Sequence, residues 1–239
     1  MKTVIHRAEN RGQANHGWLK AKHSFSFAQW YDPEKIHYGA LRVLNDDEVA
    51  PGMGFGKHPH DNMEIITLVQ EGALEHKDSM GNGSVMNPND VQVMSAGSGV
   101  FHSEMNHSKT DSVKLFQIWV FPDKGNVTPR YDQKTFAPED RKNKWQEIIK
   151  PDTQTEGNAI FIHQQAWFNL CDLEAGNNIT YTSKKAGNGS YIFLIDGCIE
   201  TTGEILQKRD AIGITDFETT EIIAKENSRI LVMDIPMQF

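Results

Sequence analysis

The 239-residue sequence predicts an all-β protein built as two β-barrels in tandem. Three observations carry that expectation: the apolar runs are short and strand-like, turn signals separate them regularly, and the two halves of the chain echo each other. The runs are YGALRVLN (38–45), MEIITLVQE (63–71), DVQVMSAG (90–97), VKLFQIWVF (113–121), AIFIHQQAW (159–167), YIFLIDGCIE (191–200) and SRILVMDIP (228–236). Between them stand MGNGS (80–84), NPND (87–90), PDKGN (122–126) and AGNGS (186–190), rich in the Gly, Asn, Asp and Pro that turns demand. Many short strands punctuated in this way indicate a sandwich or barrel.

The first half runs from the N terminus to about residue 135. The acidic stretch LNDDE (44–48) reads as an exposed turn, and the glycine-rich PGMGFGK (51–57) leads into a strand beginning KHPH. One helix is expected, over PEDRKNKWQEIIK (138–150), with Pro138 able to open it and Pro151 just beyond its end. Its RKNK face (141–144) is expected to be solvated. The helix connects an N-terminal barrel, residues 1–135, to a C-terminal barrel, residues 136–239. The repeat shows best where LVQEGALE (68–75) aligns with FLIDGCIE (193–200), each a buried strand, an acidic-Gly turn and a second strand. NPNDVQVM (87–94) aligns less well with QKRDAIGI (207–214).

Composition narrows the function. The chain is 38% hydrophobic and 23% charged with net charge −8, and its basic runs are short, so direct binding to a nucleic-acid backbone is not expected. Residues 1–13, MKTVIHRAENRGQ, lack the apolar core of a signal peptide, and no apolar run approaches a membrane span. The expected location is the cytoplasm and the expected assembly a monomer. Cys171 and Cys198 show no metal-binding spacing and read as two reduced core thiols.

The chemistry concentrates in two segments. In KHPHDNMEII (57–66), His58 and His60 stand at i, i+2, so on a strand both imidazoles share a face. In SAGSGVFHSEMNH (95–107), His102 and Glu104 repeat that spacing. Three imidazoles and one carboxylate form a donor set that suits a divalent transition metal and leaves coordination positions open. A closed structural zinc site would instead call for Cys-rich spacing. By strand parity Glu64 is a second possible carboxylate ligand. Aligning Gly72 with Gly197 places Ser183 and Lys185 opposite His58 and His60. Aligning Asp90 with Asp210 places Ile222 and Ala224 opposite His102 and Glu104. Only the N-terminal barrel is therefore expected to hold a metal.

HPH-x3-E followed by Gly99, His102 and Asn106 resembles the paired motifs of a cupin barrel. More narrowly, SFSFAQWYDP (24–33), GALRVLNDDEVAPGMGFGKHPHDNMEI (39–65), LEHKDSMGNG (74–83) and VQVMSAGSGVFHSEM (91–105) closely resemble the pirin family. Gly97 stands where the general cupin pattern has proline. The resemblance implies a bicupin, two tandem jelly-roll barrels, with the metal on the positions matching His58, His60, His102 and Glu104. The implied ion is iron(II), with zinc, nickel, cobalt, manganese or copper also compatible. The implied activity is that of a quercetin 2,3-dioxygenase, in which the protein takes a flavonol and dioxygen and Glu104 is the catalytic base. The resemblance also admits a metal-dependent regulatory module that binds a partner protein, or an enzyme for another enolisable small molecule.

The remaining histidines, His6, His16, His37, His76, His107 and His163, read as surface or hydrogen-bonded residues, and His23 as a packing residue. Trp119 and Phe121 read as core. Met53 and Phe55, on the approach to the ligand strand, are candidates for lining a pocket.

Overall fold

The computed structural model describes residues 1–239, which form 22 strands and two short 3-10 turns, Ala8–Asn10 and Pro138–Arg141. In chain order the strands are β1 (Lys2–His6), β2 (Gly12–Asn15), β3 (Leu19–His23), β4 (Leu41–Val49), β5 (Gly54–His60), β6 (Glu64–Glu71), β7 (Leu74–Asp78), β8 (Gly83–Met86), β9 (Asp90–Ser95), β10 (Val100–Asn106) and β11 (Val113–Val120). They continue as β12 (Arg130–Thr135), β13 (Gln146–Pro151), β14 (Ile160–Ile162), β15 (Trp167–Leu173), β16 (Asn178–Thr182), β17 (Asn188–Asp196), β18 (Cys198–Thr201), β19 (Glu204–Gln207), β20 (Ala211–Thr215), β21 (Thr219–Ala224) and β22 (Ser228–Pro236).

Each half pairs a seven-stranded sheet with a four-stranded one. The N-terminal barrel joins β12-β9-β6-β11-β4-β3-β2 to β5-β10-β7-β8, and the C-terminal barrel joins β1-β20-β17-β22-β15-β13-β14 to β16-β21-β18-β19. The chain is an all-β bicupin, as expected. The repeat extends to pairing: β10 lies between β5 and β7 as β21 lies between β16 and β18. Gly72 and Gly197 end equivalent strands with φ of 77° and 93°, a left-handed turn that glycine makes without steric cost.

The N-terminal segment departs from a division at residue 135. Strand β1 joins the C-terminal barrel, pairing with β20 from Lys2↔Thr215 to His6↔Ala211. It covers the edge that β12 covers in the other barrel, where it pairs with β9. Two edges that would otherwise expose unpaired backbone groups are closed this way.

The largest core lies between the barrels. A cluster of 27 buried residues joins Phe116, Ile118 and Ile66 of one large sheet to Phe168, Phe193 and Leu231 of the other. Strand β11 shows why its sequence is an almost continuous apolar run. Phe116, Ile118 and Val120 enter the inter-barrel core, while Leu115, Gln117 and Trp119 turn into their own barrel. A strand covered on both faces needs apolar residues at both parities.

The expected helix over 138–150 is not formed. Only Pro138–Arg141 is helical, Asn143 turns left-handed with φ 52°, and Gln146–Pro151 is strand β13, paired with β14 and β15. Ile148 and Ile149 are fully buried in the inter-barrel core, so sheet pairing outweighs the weak helical period of this segment. The RKNK face is not uniformly solvated either. Arg141 is buried and donates to Asp172 Oδ2 at 2.9 Å, Asn89 Oδ1 at 2.7 Å and the Phe136 carbonyl at 3.4 Å. Arg141→Ala is expected to cost about 1–3 kcal/mol by removing three hydrogen bonds made by a buried side chain. The denaturant midpoint measures it, and an unchanged midpoint would refute the role.

LNDDE likewise lies within strand β4 and is not a turn. Asp46 faces the second barrel, accepting from Arg209 Nε at 2.8 Å and Arg11 Nη1 at 3.2 Å, whereas Asn45 and Asp47 point into the first. Cys171 and Cys198 are buried and free. No helix is long and apolar enough to cross a membrane.

Candidate metal centre

The inner faces of the two barrels differ. In the C-terminal barrel a 13-residue apolar cluster fills the space, including Tyr181, Ile222 and Ala224. Ile222 and Ala224 lie on β21, the counterpart of β10, so the positions matched to His102 and Glu104 carry hydrocarbon. In the N-terminal barrel the interior apolar residues form clusters of only eight and four. With them in the barrel is a cavity of about 420 Å3, whose lining includes His58, His60, Glu104, Gln117 and Trp119.

Strands β5 and β10 bring the predicted residues together. Their register places His58 opposite His102 and Phe55 opposite Glu104, with a bulge between the two pairs. The bulge inserts an extra residue at Gly56 and Lys57, so Phe55 and His58 both face inward although they differ in parity. The Gly56 carbonyl then accepts the His58 Nδ1–H at 2.8 Å, which leaves Nε2 as the ligating nitrogen. Gly54 has no side chain to spare here. A Cβ at that position would collide with the Glu104 carbonyl oxygen and the Met105 backbone. Gly54→Ala is therefore expected to push β5 off β10 and lower metal affinity by at least about ten-fold, with about 1–3 kcal/mol of lost stability. Chelator competition and thermal unfolding check both numbers.

The rings of His58, His60 and His102 form a triangle with centroids 4.4–4.9 Å apart. His58 Nε2 and His102 Nε2 are 3.0 Å apart, and the three residues present ligand atoms within 4.8 Å of one another. Burial, reinforced by the neighbouring histidines, lowers His60 to about 4 and His102 to about 3. These two imidazoles are neutral at physiological pH, the state in which they coordinate metals.

Glu104 is wholly buried on the same strand as His102. Gln117 Nε2 donates to its Oε2 at 2.7 Å and Thr67 Oγ1 approaches Oε1 at 3.4 Å. Burial raises its pKa, opposed in part by Gln117, His76, His58 and Thr67. The four sequence-selected residues fall into two overlapping triples that share His102: His58, His60, His102 and His76, His102, Glu104. This His/Glu cluster is able to bind a metal ion, and its nitrogen-oxygen donor set suits borderline divalent metals.

Glu64 lies elsewhere. Strand β6 belongs to the large sheet, and its residues Glu64, Ile66 and Leu68 face the inter-barrel side while Thr67 faces Glu104. Glu64 accepts from Ser95 Oγ at 2.7 Å and has Arg130 and His163 as charged neighbours. Its shared parity with His60 is lost because the chain changes sheet between them.

Several residues near the site were not assigned to it from sequence. His76 is fully buried beside His102, with ring centroids 5.3 Å apart, and it is hydrogen-bonded as expected. Both ring nitrogens are engaged, Nδ1 by Gln92 Nε2 at 3.2 Å and Nε2 by Asp78 Oδ2 at 3.2 Å, so no lone pair is left free for a metal. The alternation Leu74, His76, Asp78 in LEHKD was the available signal. His23 lines the cavity and hydrogen-bonds Asn45 Oδ1 at 2.8 Å, so its part exceeds packing. Trp119 is also a cavity wall, its ring edge-on to His60 at 4.9 Å. Of the two pocket candidates, Phe55 lines the cavity and Met53 is exposed.

Residues 4–120 match the Pirin family and residues 149–235 match a family described as Quercetinase C-terminal cupin domain. A protein named Pirin-like protein from Caulobacter vibrioides is 42% identical over 223 residues, covering 93% of this chain and 95% of the relative. The chain belongs to the pirin family. A pirin relative from Escherichia coli, named Quercetin 2,3-dioxygenase, is 39% identical over 236 residues, covering 97% of this chain and 98% of the relative. Among solved structures, the bacterial pirin YhhW from Escherichia coli in complex with nickel(II) superposes with a TM-score of 0.92 at 37% identity, covering 98% and 99% of the two chains.

Proposed function

We propose that this pirin is a metal-dependent dioxygenase that opens the central ring of a flavonol such as quercetin. His58, His60, His102 and Glu104 would hold one divalent ion, with iron(II) the first candidate. The observation that carries the reading is the triangle of three imidazoles, two of which, His58 and His60, line a cavity together with the buried Glu104 carboxyl. At about 420 Å3 the cavity falls within the range of roughly 300–1,000 Å3 that suits a drug-sized organic molecule. The name of the Escherichia coli relative and the nickel complex of YhhW support the same reading.

When bound, the ion would act as a Lewis acid toward the substrate's hydroxyl and adjacent carbonyl. The protein's own residues do the rest. Glu104 accepts the hydroxyl proton, and burial favours this by making its carboxylate more basic. Gln117 and Thr67 hold that carboxylate in place. Phe27, Phe55 and Trp119 give flat apolar walls for an aromatic ligand and exclude water from the electron-rich form. In the overall reaction both atoms of dioxygen enter the product, two ring bonds break and one ring carbon leaves as carbon monoxide.

The test is aerobic incubation of metal-replete protein with quercetin, following loss of flavonol absorbance and release of carbon monoxide. Turnover with at least one of iron, manganese, cobalt, nickel or copper is expected. Failure with all five would discard the flavonol assignment.

A further inference from the structure

The cavity wall opposite the ligand strands carries polar atoms without partners. Asp47 is 4% exposed and lines the cavity, yet neither of its oxygens is hydrogen-bonded within the protein, and Oδ1 is completely buried. Its neighbours on the adjacent strands are Ala21 of β3 and Leu115 of β11, which have nothing to offer it. On β11, four residues beyond Leu115, Trp119 also lines the cavity, and its buried Nε1–H has no acceptor. Leaving a buried carboxyl and a buried indole N–H unpaired costs stability that folding alone does not return.

We propose that Asp47, seconded by Trp119, is a hydroxyl-reading subsite that selects aromatic substrates bearing a hydroxyl group outside the metal-chelating pair. This rests on the small-molecule reading of the cavity given above. Burial, with Asp46 and Glu104 adding to it, pushes the Asp47 carboxyl up to about 8. A carboxyl held this way has an oxygen to accept a hydrogen bond and, when protonated, an O–H to donate. A phenolic hydroxyl matches both functions, and a second substrate oxygen can accept from Trp119. A site built this way discriminates against analogues that lack the hydroxyl, because its own polar groups are then left dry and unpaired.

The experiment uses full-length nickel-loaded protein without oxygen, so that binding is read without turnover. Two pairs of chelating probes are titrated: quercetin against 3-hydroxyflavone, and pyrogallol against catechol. Wild type is expected to prefer the more hydroxylated member of each pair by roughly ten- to a hundred-fold in Kd. Asp47→Leu should erase that preference while leaving affinity for the poorer members unchanged. Asp47→Asn, which keeps a donor and an acceptor, should retain most of it. Thermal unfolding of Asp47→Leu should occur at or above the wild-type temperature, since the carboxyl makes no bond that the fold needs. A preference that survives in Asp47→Leu, or a marked fall in Tm for both variants, would overturn the subsite and leave the flavonol reading standing. Preference within the catechol pair alone, with neither flavonol bound by wild type, would support the subsite and overturn the flavonol reading. Failure of wild type to bind any of the four would overturn both.

Discussion

His102→Ala is expected to lower metal affinity by more than about a hundred-fold and to abolish turnover. His102 is the buried member of the imidazole triangle, belongs to both overlapping triples, and turns Nε2 to within 3.0 Å of His58 Nε2. Removing it also opens a space in the wall that water fills, so the remaining imidazoles lose both a partner and their dry surroundings. Metal content after dialysis, together with the metal-dependent rise in Tm, measures the loss. The stabilisation behind that rise is about 2.7 kcal/mol when free metal is a hundred times Kd. His76→Ala is the control. Both nitrogens of His76 already bond to Gln92 and Asp78, so its removal is expected to perturb stability while metal stoichiometry persists. If His76→Ala released the metal as completely as His102→Ala, the ligand set would have to be redrawn around His76, His102 and Glu104.

Glu104→Gln separates holding the ion from moving the proton. The substitution keeps an oxygen that Gln117 Nε2, now 2.7 Å from Glu104 Oε2, can still contact. It removes the negative charge and the capacity to take a proton. Metal affinity is expected to fall no more than about ten-fold, while kcat at saturating metal falls by about 10^2–10^4, the usual contribution of a positioned base. Metal titration followed by flavonol turnover at full loading distinguishes the two losses. A variant that turns over normally once loaded would remove Glu104 from proton transfer and leave it a ligand only.

Much of the site was legible because it is local. HPH and HSE each place two donors at i, i+2, and a strand puts such residues on one face whatever surrounds it. The packing role of Ile222 and Ala224, the second-barrel counterparts of His102 and Glu104, was equally legible from residue type. The misreadings arose where a neighbouring strand settles the outcome. LNDDE looks like a turn by composition, yet it is a strand that puts Asp46 against arginines of the second barrel and Asp47 into the cavity. PEDRKNKWQEIIK has Pro138 at its head and a partly helical period, yet Ile148 and Ile149 are drawn into the inter-barrel core as strand. Glu64 shares parity with His60, but the link between them passes from one sheet to the other and carries it away from the histidines.

By itself the sequence determined the β class, the duplicated architecture, the barrel expected to carry chemistry and the three histidines expected to hold an ion. Each follows from spacing and residue type, which act over a few positions. Only the tertiary structure decided which carboxyl stands beside the histidines, how the Gly56–Lys57 bulge orients His58, and that Asp47 and Trp119 line the same cavity without partners. Those outcomes depend on register and sheet packing between segments far apart in the chain, and a strand's own residues do not specify what lies across from them.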